Sequence, residues 1–206
     1  MKVTGISCAI LAGGKNLRFG RKTKALALTG GEKIIDRIIQ VTENIFQDIT
    51  IVTNNPEEFY GYSKFKFTGD IFRNAGPPGG IHAALTNSET SALFIVAGDM
   101  PFIDEEIIRS QIQYFLKKDA EAVVPLIEDK PEPLHGIYSR SILPILNTML
   151  QKTTGFSVTD LLKNIRTEYF KLEPSDKTRI AFFNVNTQED LRKADEISAQ
   201  FDKFID

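Results

Sequence analysis

The chain of 206 residues has a single cysteine, Cys8, no tryptophan and only two histidines, His82 and His135. One cysteine excludes an intramolecular disulfide, and it excludes a thiolate zinc cluster within one chain. Cys8 stands inside an apolar run, where a buried strand residue is expected rather than a reactive thiol. The two histidines are far apart, with no metal-ligand spacing around either. No apolar run is long enough for a membrane span. The first residues are too polar, and their apolar stretch too short, for a secretory signal. A cytoplasmic address without membrane attachment is expected. The formal net charge is only −2, so no global basic field draws the chain to nucleic acid. The two common phosphate signatures, G-x-x-x-x-G-K-[ST] and G-x-G-x-x-G, are both missing. Apolar residues make up 42%, which is enough for a globular core.

Short apolar runs alternate with longer amphipathic ones, as in βαβ units. Strands are predicted at 6–12, 48–53, 64–68, 91–97, 120–126, 134–138, 168–172 and 180–185. Helices are predicted at 33–46, 79–87, 104–117, 140–151, 157–164 and 187–204. Ala92-Leu93-Phe94-Ile95-Val96-Ala97 carries no charge and reads as a central strand buried on both faces. Asp104 and Thr187 read as helix caps, each with acidic residues in the turn that follows. Glu128-Asp129-Lys130 marks an exposed turn, after which the regular alternation is expected to break. No repeat or linker divides the chain. The expected fold is α/β: a three-layer, mostly parallel, doubly wound Rossmann-like sheet in one domain spanning 1–206.

The most informative stretch follows the first predicted strand: Leu11-Ala12-Gly13-Gly14-Lys15-Asn16-Leu17-Arg18-Phe19-Gly20-Arg21-Lys22-Thr23-Lys24. Glycines let backbone N–H groups approach a ligand with no Cβ in the way, and successive inward N–H groups form an anion site. Arg18 and Lys24 add full positive charge. Such a loop suits phosphates. Asp99 is the second anchor, in Ala97-Gly98-Asp99-Met100-Pro101 at the carboxyl end of the central strand, where open α/β sheets bind ligands. A carboxylate there can hold a hard cation such as Mg²⁺ alongside phosphate oxygens and water.

The pattern L-A-G-G-x3-R-x-G-x3-K resembles the start of the molybdenum cofactor guanylyltransferases, which have a nucleotidyltransferase fold. Four further segments occur in that family's order. Asp70 matches an Asp that contacts the nucleotide, and Asn54 stands where the family often has an Asn near the base or ribose. Gly76-Pro77-Pro78-Gly79-Gly80-Ile81 matches G-P-L-x-G-I, with Pro78 at the Leu position. Pro133-Leu134-His135-Gly136-Ile137-Tyr138 resembles a segment on the acceptor side, which makes His135 a candidate contact to an acceptor phosphate. Asn184-Val185-Asn186-Thr187-Gln188-Glu189-Asp190-Leu191 matches N-x-N-T-x-E-D-L. Asn184 and Asn186, predicted on one strand face, are candidate acceptor ligands. Two departures fall in the opening loop: Phe19 replaces a usual Met, and Arg21-Lys22-Thr23 replaces a segment that commonly has Gly and Asp.

The resemblance implies transfer of GMP from GTP to the terminal phosphate of molybdopterin or molybdenum cofactor, with release of pyrophosphate. Leu11, Ala12, Gly13, Gly14, Lys24, Asn54, Asp70 and Asp99 are then the expected nucleotide contacts. Arg18, Lys24 and Asp99 carry the catalysis, and Asp99 is the Mg²⁺ ligand. Transient contact with cofactor-delivery and molybdoenzyme-maturation proteins is implied too. An acceptor phosphate is already anionic near neutrality, so no strong base is needed. Related cytidylyltransferases read L-A-A-G, which makes Gly13 the position that makes room for a purine. The alternatives are a cytidylyltransferase for molybdopterin or a sugar-like phosphate, and a non-catalytic nucleotide-binding regulator.

Overall fold

The computed structural model describes residues 1–13, 23–152 and 155–202. β1 (Ile6–Leu11) is followed by a small hairpin of β2 (Leu28–Thr29) and β3 (Glu32–Lys33), then α1 (Ile34–Ile45), β4 (Ile49–Val52) and β5 (Lys66–Thr68). α2 (Pro77–Asn87), β6 (Ala92–Ala97), α3 (Glu105–Lys117), β7 (Ala122–Ile127), β8 (Lys130–Pro131) and β9 (His135–Ser139) come next. The chain closes with α4 (Leu143–Lys152), α5 (Val158–Leu162), β10 (Thr167–Leu172), α6 (Asp176–Ala181) and α7 (Gln188–Asp202). Gly14, Arg18 and the Arg21-Lys22 pair lie outside the described residues.

The main sheet runs β10-β7-β9-β6-β1-β4-β5, with β8 paired to β7. β1 pairs in parallel with both β4 and β6, and β4–β5 and β7–β10 are parallel as well. β9 is inserted antiparallel between β6 and β7. The mostly parallel α/β sheet therefore forms as expected, and the break in pattern falls after Glu128 and Asp129. Both of those residues have positive φ, which turns β7 tightly into β8.

Side-chain alternation along the central strands builds the two outer layers. Cys8, Ile10, Phe94 and Val96 face one core with α1 and α3, and Ala9, Leu93 and Ile95 face the other with α2, α4 and α5. Ile34, Ile35, Ile38 and Ile45 of α1 are fully buried. Each such side chain contributes about 1.5–3 kcal/mol relative to exposure. Phe46 stacks on Phe94, with ring centroids 5.5 Å apart. Asp104 caps α3 as expected, accepting from the Ile107 N–H at 2.9 Å. Thr187 begins α7 with its hydroxyl accepting from the Asp190 N–H at 3.1 Å.

One predicted strand does not form. Residues 180–185 straddle the end of α6 and an extended segment outside the sheet. Ser175 caps α6 by accepting from the Thr178 N–H, and the buried Thr178 and Ala181 are three residues apart, on one helical face. The short β2–β3 hairpin was not foreseen. Its turn is Gly30-Gly31 with φ +56° and +79°, a backbone that favours glycine at both positions.

Candidate active site

The chain crosses from β1 to β4 and β5 on one side, then returns to β6 on the other. Doubly wound sheets open a crevice at such a reversal, beyond the carboxyl ends of the strands. A cleft of about 370 Å³ lies there. Its floor is Leu11, Ala12 and Gly13 after β1 and Gly98 and Asp99 after β6. Gly98 lets these two strand ends meet: its N–H donates to the Leu11 carbonyl at 2.9 Å.

Lys24 enters from a short 3-10 turn whose Ala25 is buried against the core. Its ammonium donates to Asn186 Oδ1 at 2.8 Å and lies 3.3 Å from Asp99 Oδ2. Asp99 and Lys24 side chains are each 22% exposed. Burial pushes the Asp99 carboxyl up from its ordinary value, and the Lys24 charge beside it partly opposes that shift. The Asp99 carbonyl accepts from the Val185 N–H at 2.8 Å. That bond anchors the extended segment carrying Asn186 to the end of β6.

The opposite wall contains Asp70, Gly76 and Pro77. Asn54 and Asp70 form a closed pair: Asn54 Nδ2 donates to Asp70 Oδ2 at 2.9 Å, and the Asp70 N–H donates to Asn54 Oδ1 at 2.8 Å. Asn54 thus acts on Asp70, and only Asp70 of the two lines the cleft. α2 points its start at the cleft, but Pro77 and Pro78 carry no N–H. The Gly79 and Gly80 N–H groups are directed at the Gly76 carbonyl. This helix start supplies shape and dipole rather than donors, which is the local meaning of the second proline.

His135 is a correction. It is fully buried, its ring 4.9 Å from Phe94 and 4.6 Å from Phe182. It shares the core face of β9 with Ile137. Burial holds its imidazole down to about 4, so it is neutral and cannot reach an acceptor phosphate. Leu134, the preceding residue, lines the cleft instead. Asn184 is committed locally, its amide donating to the Phe182 carbonyl at 3.1 Å, while Asn186 is exposed beside Lys24. The strand expected to aim both amides the same way is absent. The structure brings Leu11, Ala12, Gly13, Lys24, Asp70 and Asp99 to one cleft. Gly14 and Arg18 lie outside the described residues. The bracing of Asp70 by Asn54 was missed; the turn cluster Asn54-Asn55-Pro56 gives no hint of it.

A mostly parallel sheet with a glycine, a lysine and a carboxylate converging at its switch point defines a nucleotide-handling α/β protein of the nucleotidyltransferase type. Residues 8–167 match the MobA-like NTP transferase domain. The chain is 34% identical to a protein of Desulfosudis oleivorans named molybdenum cofactor guanylyltransferase, over 94% of each chain. It is also 34% identical to one of Natranaerobius thermophilus named as a probable molybdenum cofactor guanylyltransferase, over 92% of this chain and 94% of that one. Molybdopterin-guanine dinucleotide biosynthesis protein A of Archaeoglobus fulgidus superposes with a TM-score of 0.80 at 27% identity, covering 94% of this chain and 99% of that one. The chain belongs to the MobA-like NTP transferase family, with molybdenum cofactor guanylyltransferases among its relatives.

Proposed function

We propose that the chain transfers GMP from GTP to the terminal phosphate of molybdopterin or its molybdenum form. The observation that carries this reading is Lys24 and Asp99 meeting beside the Leu11-Ala12-Gly13 turn, in a chain 34% identical to molybdenum cofactor guanylyltransferase. An acceptor phosphate oxygen bonds to the α-phosphorus as the bond to the leaving pyrophosphate breaks. Both reactants are anions, so in-line positioning and charge compensation lower the barrier. Lys24 stabilises the charge that develops toward pyrophosphate, and Arg18 shares that task. Gly13 lines the cleft beside the triphosphate, Gly14 is assigned to the same ligand, and Asp70, braced by Asn54, sits on the donor wall. Asn186 and the segment before it form the acceptor wall with Leu134. Neither histidine lines the cleft, in keeping with an acceptor that needs no base.

Asp99 is the residue that would hold Mg²⁺. Its carboxylate is 22% exposed and lines the cleft, a hard oxygen donor of the kind Mg²⁺ takes. Among the described residues no cluster of three acid, histidine or cysteine side chains could cage a metal. The remaining ligands would be phosphate oxygens and water, as Mg²⁺ prefers. Such an ion would supply neutralisation of phosphate charge. The cytoplasm, where GTP is held, is the compartment this reaction requires. Transient contact with the proteins that deliver the acceptor and receive the product completes the reading.

The test is pyrophosphate release from GTP, CTP or ATP, each with and without molybdopterin. Release from GTP only when molybdopterin is present is expected. A CTP preference would replace the guanylyl reading with the cytidylyl one. Binding of nucleotide with no release from any pair would favour a regulator.

A further inference from the structure

The Lys24 ammonium occupies the position a metal ion would seek. It lies 3.3 Å from Asp99 Oδ2 and is held there by Asn186 Oδ1 at 2.8 Å. The Val185 N–H to Asp99 carbonyl bond, at 2.8 Å, ties the Asn186 segment to the same strand end. Lysine, amide and carboxylate are therefore one built cluster. Asn186 adds no charge to it. Its amide fixes the ammonium in place without strengthening the site's attraction for cations.

We propose that Lys24 bars a bare divalent cation from Asp99, so that the cleft takes up metal only together with a nucleoside triphosphate. This rests on the reading of Asp99 as the metal ligand. A divalent cation at Asp99 would lie within a few ångströms of the ammonium, where like charges repel strongly unless an anion stands between them. The triphosphate is that anion. An ammonium has three donors, so Lys24 can exchange its Asp99 bond for a phosphate oxygen while keeping Asn186. Asp99 then becomes available as metal and nucleotide arrive. Once the anion has left, the ammonium returns to Asp99. An empty cleft is not left occupied by a stray cation.

Mn²⁺ titration of the ligand-free chain, followed by electron paramagnetic resonance, tests the gate without any turnover. Lys24→Met is expected to bind Mn²⁺ at least about tenfold tighter than the wild type. Lys24→Arg, which keeps the charge, is expected to bind as weakly as the wild type. Lys24→Gln is a second neutral variant if Lys24→Met does not fold. Adding a non-hydrolysable GTP analogue should tighten Mn²⁺ binding far more in the wild type than in Lys24→Met, because the two ligands are linked through the lysine. Equal or weaker Mn²⁺ binding by the folded neutral variants overturns the gate, as does tightening by Lys24→Arg equal to theirs. Asp99→Asn, read with the GTP analogue present and in the Lys24→Met background, reports on the underlying reading: Mn²⁺ binding unaffected in both removes Asp99 as the ligand, and the gate with it.

Discussion

Two glycines on the floor of the cleft should respond in opposite ways to one added methyl. A Cβ on Gly98 would lie 3.0 Å from the Leu11 carbonyl oxygen and 3.2 Å from both Ala12 Cα and Ala25 Cβ. Ordinary contacts of a Cβ begin at about 3.4 Å, so each neighbour must retreat by a few tenths of an ångström. Two of the three contacts are backbone atoms of the turn after β1, and the third stands beside Lys24. Overpacking of this kind costs about 1–3 kcal/mol. For a domain of this size, that lowers the melting temperature by roughly 3–10 °C. A Cβ on Gly13 would meet only the Val52 carbonyl at 3.7 Å and Thr53 Cα at 3.8 Å. Gly13→Ala is therefore expected to stay within about 0.5 kcal/mol of the wild type. The added methyl instead enters ligand space. By the purine reading, GTP affinity falls by about tenfold or more, the scale of one misplaced methyl(ene) in a fitted pocket, with CTP affected much less. Differential scanning calorimetry without ligand, then isothermal titration with GTP and CTP, measures both arms. An unchanged melting temperature for Gly98→Ala would refute the packing argument. A large loss of stability in Gly13→Ala, or equal losses for both nucleotides, would refute the assignment of Gly13.

Three further outcomes follow from the same geometry. His135 titrates near 4 in the folded chain against an ordinary 6.5, so the unfolded state binds the extra proton between those values. Stability is then lost as pH falls from about 6.5 toward 4, by about 3 kcal/mol in all. Urea unfolding across that range should show the loss in the wild type and a shallower pH dependence in His135→Leu. A Cβ on Gly69 would stand 3.1 Å from Asn54 Oδ1. Gly69→Ala and Asn54→Ala should each weaken GTP binding severalfold, and the double variant should be no worse in calorimetry than either alone. Asp104→Ala removes the cap of α3 and should lower stability by about 1 kcal/mol, read as a melting temperature lower by roughly 2–4 °C.

The alternation of apolar runs with amphipathic segments made the central sheet and its helical layers legible, because parallel strands buried on both faces carry few polar residues. Ala92 to Ala97 is the clearest instance, with all six residues buried. The failure at 180–185 has a local cause. Ile180, Phe182 and Val185 are apolar enough for a strand, but the Ser175 cap starts a helix that runs through Ala181. The Gly30-Gly31 signal for a hairpin was present and went unused, since strands of two residues leave no periodicity. For the site, Lys24 and Asp99 were legible because charge next to a glycine turn or a strand end has few structural uses. His135 was misplaced because motif position alone does not say which face of a strand a side chain takes. Its neighbours Phe94 and Phe182 are 41 and 47 residues away in the chain. The mutual bracing of Asn54 and Asp70 joins residues from the ends of two different strands, a proximity that only the sheet order creates.

β9 enters the sheet beside the carboxyl end of β6. Its antiparallel course puts Leu134 on the cleft, hydrogen-bonded through its carbonyl to the Ala97 N–H at 2.8 Å. The chain from Glu128 to Leu134 is thus a hairpin excursion, held to α6 at its start by the Arg179–Glu128 pair at 3.3 Å. Insertions or deletions there are expected to alter the Leu134 side of the cleft while the β1 and β6 ends stay in register. One wall of the cleft is thus carried by a short hairpin, and its floor by the ends of two buried parallel strands.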